Sequence, residues 1–431
     1  MDVSEKNISF SYTKFPTGTF SVGISQDLVR PIYNFILQDQ QLSFHTRGFQ
    51  SGIVAPGYIE KTCRHTIVSH LKELFFNHCV LGFVCRQMHL NRITMIGEPE
   101  LADVYIDPEN SARFDFNYAP VDPTLPRQWK KLIYRTPSRK GYKDLDKQAL
   151  SFFEEENKTM PNQIDQKISP GDWVRFSISL IIDKKNRCEL SHSDILWIKI
   201  GTETINKDIA AIFLNRKRSD SIISSHDFFQ NYVSNKLNAE YEFIIRILDI
   251  VPYEYFSFDL FKKQFFLSTS QDVHSKFIEV LSTRNDITQR HEIVTSVLNL
   301  LINKSIIMIP QKCIDLEKEN VVQSLRENPD YLVFRLQSNF KNLVTSLAER
   351  QLKEHIILDA LAHAEGLSST DQDVRAYLNL MQRPKTKEFI YSLMPSSKIY
   401  DQEIPLPEDY LKRFCLREKT LNYVIHQLTR A

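Results

Sequence analysis

Apolar residues change their spacing twice along the chain, and the two changes divide it into three stretches. In the first, ISFSYTKF (8–15) alternates as a strand does, and QDLVRPIYNFILQDQ (26–40) has helical spacing. Pro31 inside that helical pattern predicts a late start or a kink. Tyr58, Ile59, Ile67, Val68, Leu71, Leu74 and Phe75 recur at helical intervals and predict an amphipathic helix. Residues 92–106 and ARFDFNYAPV read as strands, so residues 1–125 form a compact α+β unit.

VDPTLPRQW, with Pro123 and Pro126, marks the exit from that unit, and KDLDKQALSFFEEENKT reads as one charged helix within a linker over 126–164. ISPGDWVRFSISLII then opens a β region: Pro170–Gly171 is turn chemistry, and the residues after it alternate before becoming wholly apolar. Strand-like runs return at DILWIKIG and EYEFIIRILDIV, giving a second, mainly β unit over 165–252. From residue 253 to 431 the pattern is helical, broken at Pro310, Pro329, Pro384, Pro395 and Pro405/Pro407, with a long helix expected over 330–364. So much helix without one obvious core predicts elongated arms whose apolar side chains face a cleft.

Composition narrows the function classes. The 431 residues carry 54 Lys+Arg against 53 Asp+Glu, so no global field favours a polyanion. No apolar run approaches the roughly 20 residues of a membrane span, and the N-terminus lacks a secretion signal, which predicts a cytoplasmic protein without membrane contact. Six scattered cysteines without C-x-x-C spacing predict free thiols and no metal site. No H-E-x-x-H, Walker loop, G-x-S-x-G or G-x-G-x-x-G occurs, so no cofactor or ATP is expected. His65 and His70 are five apart, off the i, i+4 spacing of helical metal ligands, and read as a solvated face.

One loop stands out. HTRGFQSGIVAPG places Gly48, Gly52 and Gly57 close together in a chain with only 11 glycines, directly before the amphipathic helix. Glycines there permit a tight turn or close approach to a surface. Gly48-Phe49 and Gly52, followed by YIEKTCRHTIVSHLKELFF, resemble the ribosome-docking signature of bacterial trigger factors, Gly-Phe-Arg-x-Gly-x-x-Pro before a helix. ISPGDWVRFSISL is similar to the strand that opens the FKBP-like domain of that family. AERQLKEHIILDALAHAEGLSSTDQDV (348–374) and LREKTLNYVI (416–425) resemble two helical segments of its arm region. The three resemblances are colinear over nearly the whole chain.

The resemblance implies a ribosome-binding domain, an FKBP-like middle domain and helical arms that cradle clients. The implied function is an ATP-independent chaperone. It would dock on the large ribosomal subunit near the exit tunnel and shield nascent and unfolded polypeptides, aiding folding and export, and would be free to pair with a second copy away from the ribosome. The implied docking residues are Arg47, Gly48, Phe49, Gln50, Ser51 and Gly52. The implied isomerase pocket draws on Phe176, Ile178, Trp197, Phe213, Phe229 and Tyr232, and the cradle on Phe340, Leu347, Ile356, Leu361 and Leu421.

The sequence departs from the family at two places. Gln50, Ser51 and Ile53 stand where basic residues are usual, and the proline falls late, at Pro56. Arg47, Lys61 and Arg64 are the remaining cations that could grip phosphate or acidic side chains. The turn lining the isomerase pocket keeps neither Pro nor Gly around Asn206–Ile209. A degenerate isomerase is therefore expected. An active peptidyl-prolyl isomerase and a ribosome-independent holdase or assembly factor are the alternatives.

Overall fold

The computed structural model describes residues 7–13, 18–43, 54–138, 144–156, 166–183, 188–201, 207–233, 237, 240–284, 287–326, 330–394, 398–399 and 402–430. It is a mixed α and β molecule with antiparallel sheets and a helical C-terminal region, as the sequence reading expects.

Strand β1 (Ile8–Thr13) pairs antiparallel with β2 (Gly18–Ile24). The sequence reading has one strand here. The second exists because GTFSVGI alternates strictly between buried and half-buried positions. Helix α1 (Gln26–Ser43) starts early and runs through Pro31. The lost hydrogen bond is offset by the buried stripe Leu28, Val29, Ile32 and Ile36. Helix α2 (Pro56–Phe75) opens on Pro56, where a missing N–H costs nothing. A π-type turn, Phe76–Val80, leads into α3 (Leu81–Leu90). β3 (Met95–Asp107) and β4 (Ser111–Pro120) complete a sheet of order β1-β2-β4-β3.

The charged helix is α4 (Leu145–Glu156). The middle region holds β5 (Trp173–Asp183), β6 (Cys188–Glu189), β7 (Asp194–Lys199), α5 (Lys207–Phe213), β8 (Ser221–Ser224), α6 (Asp227–Val233) and β9 (Glu242–Val251). Beyond it come α7 (Phe258–Phe265) and α8 (Ser270–Leu281), then the two-residue strands β10 (Thr283–Arg284) and β11 (Ile287–Thr288). Next are α9 (Gln289–Lys304), α10 (Gln311–Arg326), α11 (Tyr331–Arg335) and α12 (Phe340–Glu365). After α12 come α13 (Asp371–Met381) and α14 (Pro384–Lys387), and the chain ends with β12 (Lys398–Ile399), β13 (Gln402–Glu403), β14 (Leu406–Pro407) and α15 (Glu408–Arg430). The single helix expected over 330–364 is two, α11 and α12, with a break across 336–339.

The second sheet has the order β14-β7-β5-β9-β8, with β6 on β5. Its edge strand β14 comes from the end of the chain, Leu406 facing Trp197 and Pro407 facing Leu196. The two faces of this sheet join different cores. Val174, Phe176, Ile178, Leu196 and Ile198 belong to one buried cluster that continues into the N-terminal unit as far as Ile8. There the Phe35 ring stacks on Tyr241 at 5.5 Å between centroids, and His70 shares a hydrogen bond with the Tyr241 hydroxyl. Trp173, Trp197 and Val251 face the other way and close against α4, α7, α8, α13 and α15.

The segment after β4 is also docked. Trp129 packs among α9, α12 and α15, and its indole N–H donates to Glu365 at 3.2 Å. Cys63, Cys79, Cys85, Cys313 and Cys415 are free thiols. Among the described residues no helix is long and apolar enough to cross a membrane, and no cluster of side chains could hold a metal ion.

Candidate functional site

The six docking residues, Arg47 to Gly52, lie outside the described residues. What is described is the stem that holds them. Val54 is fully buried, and its carbonyl accepts from the Gln41 amide at 2.9 Å. Tyr33, on α1, donates its hydroxyl to Glu60, on α2, at 2.9 Å. Ile59 and Ile67 face inward, while Lys61 and Arg64 are exposed one turn apart. The two helices on either side of the loop are thus fixed to each other, and two cations stand on the solvent side of the second.

The middle sheet places Phe176, Phe213 and Phe229 together, with ring centroids 5.3 to 6.4 Å apart. All three, and Ile178, are fully buried and packed as core rather than lining an open pocket. The expectation that Trp197 joins them is corrected. It pairs with Arg175, whereas Phe176 pairs with Leu196, so Trp197 projects from the opposite face and is 1% exposed beneath the helical region. Tyr232 turns away from the three phenylalanines toward a separate cavity, its hydroxyl donating to Asp194 at 3.2 Å. The six residues do not line one site. Lys207 and Asp208, expected at the pocket turn, instead begin helix α5.

The cradle residues also divide. Ile356, Leu361 and Leu421 are closed core, at 1%, 0% and 0% exposure. The expectation that they face a cleft is corrected: Leu361 and Leu421 lie in the core shared by α9, α12 and α15, and Ile356 lies in the core that α12 shares with α10 and β3. Phe340 and Leu347, nearer the start of α12, are half-buried against α10. The open apolar surface lies elsewhere, on the hairpin that α10 forms with α11 and α12 and on the segment leading into α10. Ile306, Met308, Leu316, Leu332, Val333 and Leu336 are all more than half exposed, Met308 at 84% and Leu336 at 87%. None of these was singled out by helical periodicity. The available signal was the apolar run SIIMIP just before α10, and YLVF directly after Asn328-Pro329-Asp330. Both are too short to bury themselves and lie between breaks.

A cavity of about 910 Å³ opens where α3, the start of β7, α6, α12 and the β14–α15 junction meet. Most charges around it are paired: Arg86 with Asp409 at 2.9 Å, Arg413 with Glu98 at 2.8 Å, and Lys412 with Glu408 at 2.7 Å. Burial pushes the Asp359 carboxyl up, but the bidentate guanidinium of Arg417 overrides this and holds it at about 2. Asp194 differs. Burial pushes its carboxyl up to about 7, only partly opposed by the Ile195 amide and the Tyr232 hydroxyl.

Residues 271–426 match the family described as bacterial trigger factor protein (TF) C-terminus. That span begins in α8 and ends near the end of α15, and so takes in the hairpin and its exposed apolar surface. No curated protein matches the sequence. A solved structure described as "Promiscuous Substrate Recognition in Folding and Assembly Activities of the Trigger Factor Chaperone" aligns over 97% of this chain and 100% of its own, with 12% identity and a TM-score of 0.35. The family match covers the helical region alone, and over that region the chain is similar to the C-terminal part of bacterial trigger factors.

Proposed function

We propose that the chain is an ATP-independent chaperone that holds unfolded and nascent polypeptides on the α10–α12 hairpin and docks beside the ribosomal exit through the 44–53 loop. One observation carries the client-holding part: the hairpin and the segment leading into it, inside the trigger factor match, present Ile306, Met308, Leu316, Leu332, Val333 and Leu336 to solvent. Apolar surface of that kind on a folded chain costs free energy unless it meets a partner. Many weak contacts of this type hold an exposed segment and release it once folding buries that segment.

The docking part is supported by Gly48, Phe49 and Gly52 on a stem made rigid by the Gln41 and Tyr33 hydrogen bonds. The scarcity of cations at residues 50, 51 and 53 favours a weaker and more apolar grip. Prolyl isomerisation is slow or absent in this reading, since Phe176, Phe213 and Phe229 fill one another's space and Trp197 lies across the sheet.

The test is suppression of aggregation of a denatured client. The double variant Leu332→Glu/Leu336→Glu is expected to lose most of that suppression while keeping the parent's thermal midpoint. Full suppression by the variant sinks the assignment of the hairpin. Co-sedimentation with ribosomes at low salt, with and without Phe49→Ala, tests docking separately. Absence of sedimentation by the parent would leave a ribosome-independent holdase.

A further inference from the structure

The cavity at the meeting point of the three regions takes no part in the client or ribosome contacts above. Its volume of about 910 Å³ falls within the range of roughly 300–1,000 Å³ usual for small-molecule sites, and junctions between domains are where such sites concentrate. Val84 and Met88 from α3, Leu406 and Pro407 from β14, and Leu416 from α15 give it apolar walls. The charged side chains at its rim are occupied with one another, as the Arg86–Asp409, Arg413–Glu98 and Lys412–Glu408 pairs show.

Asp194 is the exception. It reaches the cavity from the start of β7, and part of its surface stays open to the interior although protein surrounds it. Its oxygens meet only neutral donors: the Ile195 amide at 2.9 Å and the Tyr232 hydroxyl at 3.2 Å. No cation is paired with it among the described residues. The titratable groups facing it are Tyr232 from α6, Cys79 from the π-type turn, Arg86 from α3 and Asp409 from α15, and Arg86 is directed to Asp409. Gly82, on α3, leaves the approach open: a Cβ there would lie 3.6 Å from Asp194 Oδ1 and 3.8 Å from Pro407 Cβ. An apolar chamber with one uncompensated carboxylate suits a ligand with one cationic head and an apolar body.

We propose that this junction cavity binds a small primary amine with an apolar stem, its ammonium group donating to Asp194 and to the Tyr232 hydroxyl oxygen from the cavity side and its stem against Val84, Met88 and Leu406. The ammonium supplies the charge partner that Asp194 lacks, and the stem displaces water from the apolar walls.

Isothermal titration calorimetry of the full chain at pH 8 with octylamine, octanol and octanoate tests this, since the three probes share a stem and differ in head group. Octylamine is expected to bind about tenfold more tightly than octanol, the size of one charge-assisted contact, with octanoate weakest. Asp194→Asn should bring octylamine down to the octanol level and leave octanol unchanged. Gly82→Leu, which fills the approach and leaves Asp194 in place, should abolish the preference for octylamine in a folded chain. Should Asp194→Asn fail to fold, Tyr232→Phe takes its place and should lower the preference about threefold, part of one hydrogen bond. Equal binding of octylamine and octanol by the parent overturns the proposal, as does a preference that survives Asp194→Asn or Gly82→Leu.

Discussion

His70, His78 and His192 stand where the N-terminal unit meets the middle sheet. Burial holds His70 down at about 4, with Glu73 as a minor opposing charge. Burial, then the proximity of His192, depresses His78, and burial depresses His192. Their rings meet edge-to-face at 5.1 Å, and neither ring nitrogen of His78 finds a partner among the described residues. A group whose folded pKa lies below its unfolded value binds protons preferentially in the unfolded chain. The stability these histidines allow is therefore complete above about pH 6.5 and is lost as pH falls toward 4. His70 alone accounts for roughly 3 kcal/mol of that loss at about 1.4 kcal/mol per unit. Asp194 runs the other way: its raised carboxyl favours the folded chain at low pH and weighs against it as pH rises from about 4 to about 7. In urea denaturation, His78→Gln should flatten the fall in midpoint between pH 7 and pH 5. Asp194→Asn should exceed the parent's midpoint at pH 8 and match it near pH 4. None of this was legible in the sequence, because the burial of His78 depends on His192, more than a hundred residues away.

At the scale of elements, α12 shows what periodicity conveys and what it omits. The 3.6-residue spacing marks an apolar stripe through Ile356 and Leu361 but does not say what covers it. α9 and α15 cover Leu361, and α10 and β3 cover Ile356, which turns expected cleft wall into core. The middle sheet is similar. Alternation from Trp173 locates β5, but which residues of β7 share a face with Phe176 depends on the pairing of Arg175 with Trp197, a long-range fact. The short exposed runs at 306–308 and 332–336 follow no period at all. Leu361→Ala is accordingly expected to cost about 2–5 kcal/mol of stability by leaving a cavity. Leu336→Ala, at an exposed position, should change it by less than about 0.5 kcal/mol. Thermal or urea midpoints of the two variants decide whether the hairpin tip is surface and the α12 stripe is core.

For the molecule as a whole, the stretches that changes of pattern set apart share their cores. One cluster runs from Ile8 to Ile250 across the first two, and another joins the middle sheet to the helices. Ion pairs reinforce the second junction: Arg175 is paired with Glu408 and, at 3.0 Å, with Asp371, and Arg375 with Asp249 at 3.2 Å. Arg175 and Glu408 are 18% and 7% exposed, so removing one partner leaves a largely desolvated charge. Arg175→Met should cost about 3 kcal/mol or more. The parent should melt in a single calorimetric transition, with the van't Hoff and calorimetric enthalpies in agreement. Two resolved transitions in the parent would contradict the shared cores. Contacts between the stretches were not legible in the sequence, because they rest on side chains such as Tyr241 and Trp197 whose partners lie in other stretches.

The edge strand β14 bears on the order in which the chain matures. Leu406 and Pro407 close the middle sheet on β7, yet they are made only after every helix from α7 to α14. During synthesis the backbone of β7 therefore stays exposed on that side, open to any extended segment nearby. The middle sheet is completed only once residues 406 and 407 have emerged, so the chain passes through a long interval with that edge unpaired.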